Sequence, residues 1–532
     1  MARSLRRRAR LEEQNALPSR AGRDAVLRPS LNFLHSRGPV MRARILGVVF
    51  GVVFGFVVVA DGQVAEHPAV AGNLRLVETW LEAQMAYRGL PGVSIGIVHD
   101  QNLIYARGFG YADVESETPA DRDTIYRIAS HSKLFTAIAI MQLRDAGHLN
   151  LDDPIEKHLP WFEIQNPYND ARPVTIRHLL THTSGLPREG GTGYWDDFDF
   201  PTLADVKAWL PEQSMVYPPE TRWKYSNLAL SLAGEIVAQV SGQAFAEYVE
   251  RHILEPLGMD STSVEFPNEH RGRLATGYGR RMPDGSRETF PFVDARAIAP
   301  AGGVSSTVAD MARFLSWQLR LRNSGGTEVL SATTLREMQR VHWLDPDWDW
   351  PWGLGFEIFH TDARDLIGHG GGFPGYVTAT HISPAENVGV IVFANAQDAE
   401  PYPGEPRSIS QRIFEWVAPA LLEAVGGDEV DVPDPRWARL EGTYRARGGD
   451  IHVLPLDGTL TIVNPLLPDP KAGIMTLEPV AENTFRLDGK GYDAFGEHVV
   501  FEIGPEGRSD AVTIGDGFRY TRVSYGLANP IP

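Results

Sequence analysis

The run Leu134-Phe135-Thr136-Ala137-Ile138-Ala139-Ile140-Met141 is apolar on nearly every face of a helix, and Lys133 stands directly before it. A helix that is apolar all round must be buried. The fold therefore needs packed layers on several sides of this segment and a core large enough to supply them. A charged amine carried into such an interior is costly unless it has a use there. Lysine is otherwise scarce, the remaining five being Lys157, Lys207, Lys224, Lys471 and Lys490. With 532 residues, 43% hydrophobic and 22% charged, the chain has material for two folded domains and an extra segment. It contains no cysteine, which excludes disulfides, zinc–thiolate sites and a cysteine nucleophile.

Residues 1–40 are Arg-rich and poor in apolar runs, and read as an extension upstream of the true start at Met41. Residues 41–60 have the layout of a secretory signal: Met41-Arg-Ala-Arg44, an apolar stretch from Ile45 to Ala60, and the small exit Val58-Val59-Ala60. A periplasmic or secreted protein is expected. Left uncleaved, the same run would be a membrane anchor, though it is short for a spanning helix of about 20 residues. Residues 1–60 hold eleven arginines against three acids, so the rest is more acidic than the whole-chain charge of −18. Such a surface repels phosphate backbones, and nucleic acid is not an expected partner.

From about Asn73 the pattern becomes globular. Leu74, Val77, Leu81 and Met85 recur at helical spacing, and 93–98, a turn at 99–102 and 103–107 predict a β-hairpin. A mixed helix–strand domain over 73–425 precedes an acidic, proline-bearing linker at 426–436. Over 437–527 the texture changes to short strands with Asp-Gly turns at 457, 488 and 516, which predicts a small β-barrel.

Three motifs carry chemistry. Ser130-His131-Ser132-Lys133 places an amine one helical turn from a hydroxyl. Burial would make that amine a proton acceptor, and the helix start would favour an oxyanion. In Tyr225-Ser226-Asn227, a phenol lowered by neighbouring cations can serve as general base, and a carboxamide can orient lysine and substrate. In His369-Gly370-Gly371-Gly372, glycines let substrate approach a strand edge, and the Gly372 N–H could complete an oxyanion hole with that of Ser130. Each motif alone also fits a capping residue, a packed tyrosine or a plain glycine loop. Three further signals are weak. The G-x-S-x-G at Gly92–Gly96 lies in a predicted strand, where a nucleophile elbow cannot turn. His178 and His182 lack a third metal ligand. Tyr194, Trp195, Trp348, Trp350 and Trp352 suit a cleft wall or ordinary packing equally well.

The ordered set S-x-x-K, Y-x-N, [KH]-x-G resembles the serine β-lactamase and penicillin-binding-protein family, including class C β-lactamases, D-alanyl-D-alanine peptidases, D-aminopeptidases and β-lactamase-like esterases. The segments 90–95, 179–186, 256–259 and 301–306 share in the resemblance. It implies an antiparallel sheet flanked by helices beside an all-helical lobe, with a lipocalin-like barrel trailing it. It also implies roles: Ser130 attacks, Lys133 and Tyr225 shuttle the proton, Asn227 orients the acyl group, and Gly371 and Gly372 line the oxyanion strand. His369 stands where β-lactamases of this type carry a lysine, and imidazole is mostly neutral near pH 7. That tilts the expectation from a β-lactamase or DD-carboxypeptidase toward an exported esterase or D-amino-acid peptidase. Such an enzyme would act on a small-molecule or peptide substrate through an acyl-serine, without metal or organic cofactor. A non-catalytic penicillin-binding sensor is the reading from another class. Oligomeric state is not legible.

Overall fold

The computed structural model describes residues 61–525 apart from 192, 362, 406–407, 428–429 and 490–495. The expected extension at 1–40 and the expected leader at 41–60 lie outside the described residues. Helix α1 (Pro68–Arg88) opens with proline in its first turn and ends at Gly89, whose φ of 62° makes the left-handed cap. Its predicted stripe, Leu74, Val77, Leu81 and Met85, is buried. The hairpin β1 (Gly92–His99) and β2 (Asn102–Asp113) follows, then the short β3 (Thr118–Pro119) and β4 (Tyr126–Arg127). Next in chain order come α2 (Ser132–Asp145), α3 (Asn227–Ser241), β5 (Ser305–Ser306) and α4 (Val308–Ser324). The strands β6 (Glu357–His360), β7 (Asp365–Phe373), β8 (Tyr376–Ser383) and β9 (Val388–Ala394) lead into α5 (Ile409–Gly426).

The main sheet runs β6-β7-β8-β9-β1-β2-β3 with antiparallel neighbours throughout, so the expected helix-flanked antiparallel sheet is present. Because side chains alternate across a strand, β9 divides its residues between two cores. Val390, Val392 and Ala394 pack with α1 and α5, where Trp80 meets the edge of Trp416 at 5.6 Å. Ile391 and Phe393 pack with α2, α3 and α4. The helix bearing Lys133 thus lies on one side of the sheet, walled by helices as its apolar circumference requires.

Eight further strands between Gly442 and Val523 close into an antiparallel barrel that meanders in sequence order. Eight is the number of strands in a lipocalin, but here Tyr444, Leu460, Ile462, Phe485 and Phe501 form an apolar core inside. Of the three Asp-Gly pairs, those at 457 and 516 make hairpin turns, whereas Asp488-Gly489 ends a strand. The barrel docks on α1 through Leu454, Leu456 and Val463, with Trp80 donating to the Leu467 carbonyl at 3.0 Å. Its docking site is therefore on the sheet face opposite α2. No helix among the described residues is long and apolar enough to cross a membrane.

Candidate active site

A single 3-10 turn, Ala129–His131, feeds α2. Ala129 adopts a φ of 51°, sparsely populated for a residue with a side chain. Ser132 Oγ holds the turn by donating to the Ala129 carbonyl at 2.6 Å and accepting from Val304 N at 2.9 Å. Strand β7 presses against it from the sheet. A Cβ on Gly371 would sit 2.3 Å from the Ile128 carbonyl oxygen, so this approach requires glycine. The hydroxyl of Ser130 is left partly exposed between the two elements.

Lys133 is fully buried one turn further on, and its Nζ meets three oxygens: Ser130 Oγ at 3.0 Å, Asn227 Oδ1 at 2.9 Å and the Ala301 carbonyl at 2.6 Å. Burial pulls its pKa down to about 7; the nearby Glu189 carboxylate opposes the fall. Asn227 Nδ2 donates to both Glu189 oxygens at 3.0 Å, so its Oδ1 must face the lysine. Asn227 Oδ1 and the Ala301 carbonyl can only accept. A neutral amine has two N–H groups and one lone pair. These two oxygens take the N–H groups, and the lone pair is left for the Ser130 hydroxyl.

Tyr225 Oη lies 2.7 Å from Ser130 Oγ. Its ring packs on His182 at 4.4 Å, with the Lys133 amine 4.7 Å and the Arg188 guanidinium 5.1 Å from its centroid. Two cations flank it, yet burial dominates and drives the phenol well above its usual range. The expected lowering is therefore reversed. At neutral pH Tyr225 is a proton donor to Ser130 Oγ, and of the two groups on that oxygen only the Lys133 amine has a lone pair to offer its proton.

His369 is placed differently from the other three. Its ring is buried: Nδ1 lies 2.5 Å from the Gly370 carbonyl and 3.6 Å from Glu357, while among the described residues Nε2 has no hydrogen-bond partner. No hydrogen bond joins it to Ser130, Lys133 or Tyr225. Burial lowers its pKa, aided by the nearby Lys133, and keeps it neutral. Burial works against the charge of Glu357 too, but there the rings of His369 and His381 and the Gly370 N–H at 2.9 Å outweigh it, holding its pKa at about 2. Gly371 offers its carbonyl to Tyr402 Oη at 2.6 Å, and Gly372 opens onto a cleft of about 650 Å³. Trp195, Phe198, Phe290, Glu189, Asp196 and Glu288 line that cleft.

The sequence reading missed Glu189 and the Ala301 carbonyl. The family segment 301–306 contained the second; nothing local marks the first. Ser94, in the G-x-S-x-G decoy, bonds Tyr126 Oη at 2.9 Å and the Asp121 carbonyl at 2.7 Å inside β1. His178 caps a short helix with Thr175, and His182 accepts from Ser226 N at 3.2 Å beneath Tyr225. Trp223 stacks on the exposed Trp350 at 5.0 Å, and Trp352 packs on His182 and His369.

Comparison with known proteins agrees with this geometry. The protein family described as Beta-lactamase matches residues 77–411. "Beta-lactamase-like protein 2" of Dictyostelium discoideum is 30% identical over 304 residues, 56% of this chain and 54% of that protein. The chain thus spans about half the length of this relative. Among solved structures, the octameric penicillin-binding protein homologue from Pyrococcus abyssi is 26% identical with a TM-score of 0.55, covering 84% of this chain and 100% of that one. The beta-lactamase/D-alanine carboxypeptidase from Yersinia pestis, complexed with citrate, is 25% identical with a TM-score of 0.53, covering 68% and 98%.

Proposed function

The chain belongs to the beta-lactamase family, and from that premise we propose that it is an exported serine hydrolase with Ser130 as nucleophile and Lys133 as base. One observation carries this reading. The two obligate acceptors around Lys133 leave its lone pair to the Ser130 hydroxyl, in a setting that brings the pKa to about 7.

In the first step Ser130 Oγ bonds to the substrate carbonyl carbon and its proton passes to Lys133 Nζ. The resulting ammonium keeps all three oxygens as acceptors. The carbonyl oxygen gains negative charge beside the backbone N–H groups of Ser130 and Gly372. Collapse breaks the bond to the leaving alcohol or amine, which takes a proton from the Tyr225 phenol; the Lys133 ammonium, on the other side of Ser130 Oγ, then returns a proton to the phenoxide. Water attacks the acyl-serine in the second step and gives a proton to Lys133, which passes it to Ser130 Oγ as that bond breaks, freeing the acid and the serine hydroxyl.

The substrate is an ester or an amide of the D-amino-acid type. Asp196 and Glu288 against Arg188, with aromatic walls, favour an acyl group bearing an amine and an apolar side chain. A neutral His369 gives a β-lactam carboxylate no permanent cation to bind. Intact-mass measurement after a fluorophosphonate and, separately, a penicillin tests the reading. Rapid labelling at Ser130 by the first is expected, together with faster hydrolysis of a D-phenylalanine ester than of its N-acetyl form. Durable penicillin labelling without turnover would replace this reading with a sensor. Full ester hydrolysis by Ser130→Ala would remove the nucleophile. Export rests on the leader at 41–60, and N-terminal sequencing of the mature chain checks it.

A further inference from the structure

Arg127 is 3% exposed, and among the described residues its guanidinium makes neither a hydrogen bond nor an ion pair. Strand β4 sets its direction. Tyr126 turns toward β1 to bond Ser94, so Arg127 faces the other way. Phe292 and Phe373 hold the cation, with ring centroids 4.9 and 4.6 Å from its central carbon. It lines a cavity of about 730 Å³, distinct in its lining from the cleft at Gly372. A second cation, Arg271, covers Phe292 at 5.2 Å and lines the same cavity. Glu235, Glu265 and Asp294 are also on its wall, but none reaches ion-pair distance of Arg127. Burial lowers the pKa of Arg127 only to about 10, so it stays charged at neutral pH.

A buried cation without a partner is strongly unfavourable, and a planar guanidinium is suited to a carboxylate, which it grips with two parallel N–H bonds. Leu203, Phe245, Phe266 and Pro300 supply an apolar stretch of the wall, beside the polar Ser231 and a third arginine, Arg296. We propose that this cavity is a second ligand site, and that it binds a small monocarboxylate with an apolar body through Arg127. The site borders the catalytic elements. Phe373 follows Gly372, and Pro300 precedes the residue whose carbonyl receives Lys133.

Isothermal titration of the full chain with 4-phenylbutyrate tests the site. Saturable binding tighter than about 1 mM is expected. The uncharged 4-phenylbutanamide and inorganic phosphate should each bind about tenfold more weakly or worse. Arg127→Met should weaken 4-phenylbutyrate by about tenfold or more. Ala238→Trp, which fills the cavity from α3 and leaves the arginine in place, should do the same. Ser130→Ala should retain the affinity. Absence of saturable binding to the unaltered protein, or undiminished binding by Arg127→Met and Ala238→Trp, overturns the proposal. So does loss with Ser130→Ala alone, which would put the ligand in the catalytic cleft.

Discussion

Lys133 and Arg127 are both buried cations on neighbouring stretches of chain, and the fold houses them in opposite ways. Around Lys133 the chain supplies three oxygens from the turn before α2, from α3 and from the 301 segment, two of which can only accept. Around Arg127 it supplies two phenyl rings and a cavity. An amine that the protein satisfies internally, in a setting that lowers its pKa, can exchange a proton at constant geometry. A guanidinium left without an anion cannot give up its proton near neutrality and can only recruit a partner. Buried charge therefore marks two kinds of site, and the partner count tells them apart.

Lys133→Met should break the first arrangement most severely. Loss of the base should lower kcat/KM by about 10²–10⁴-fold in ester hydrolysis. The same change should stabilise the fold. The pKa is about 7 in the folded protein against an ordinary 10.5, so the folded state releases this proton first. The cost of the buried ammonium, of order 5 kcal/mol at most, is fully present below pH 7 and fades as pH rises toward 10.5. Melting curves should place the variant above the parent, by more at pH 6 than at pH 9. A gap that widens with pH would mean that Lys133 does not carry a lowered pKa.

Tyr225→Phe comes next, with a loss of about 10²-fold expected because the phenol acts as acid while Lys133 remains. The shape of the pH profile is more telling than the size of the loss. With Lys133 as base, kcat/KM of the parent should rise through pH 7 and then level, and the variant should keep that limb. Disappearance of the limb in Tyr225→Phe would return the base role to the phenol.

The sequence carried the part of this site that is written in fixed frames. Ser130 and Lys133 are one helical turn apart, and Tyr225 and Asn227 flank the cap of α3, so local geometry nearly determines their relation. The antiparallel sheet was legible at its first hairpin for the same reason, and α2 from its apolar circumference. What escaped depends on distant chain. The phenol's shift reverses sign because His182 and Trp352 bury it. His369 sits in its motif, but only the distant β6 brings Glu357 to 3.6 Å from its ring, a contact that no local pattern marks. Nothing in the local sequence marks Arg127, because the rings that hold it, Phe292 and Phe373, come from distant chain.

Glu189 gives the smallest expected effect and the sharpest test of the partner count, because it reaches the Ser130–Lys133 pair only through Asn227 and by charge. Glu189→Leu frees the amide to rotate. When its NH₂ faces Lys133, a donor meets a donor and the lone pair is no longer reserved for Ser130. A fall in kcat of about tenfold, with little change in KM, is the expected signature. Glu189→Gln can still accept from Asn227 Nδ2 and should restore most of that rate. The lost anion no longer supports the ammonium of Lys133, so the rescued variant should move the acid limb of kcat/KM to lower pH. Equal loss in Leu and Gln variants, with the limb fixed, would show that the carboxylate contacts substrate directly and that Asn227 needs no lock.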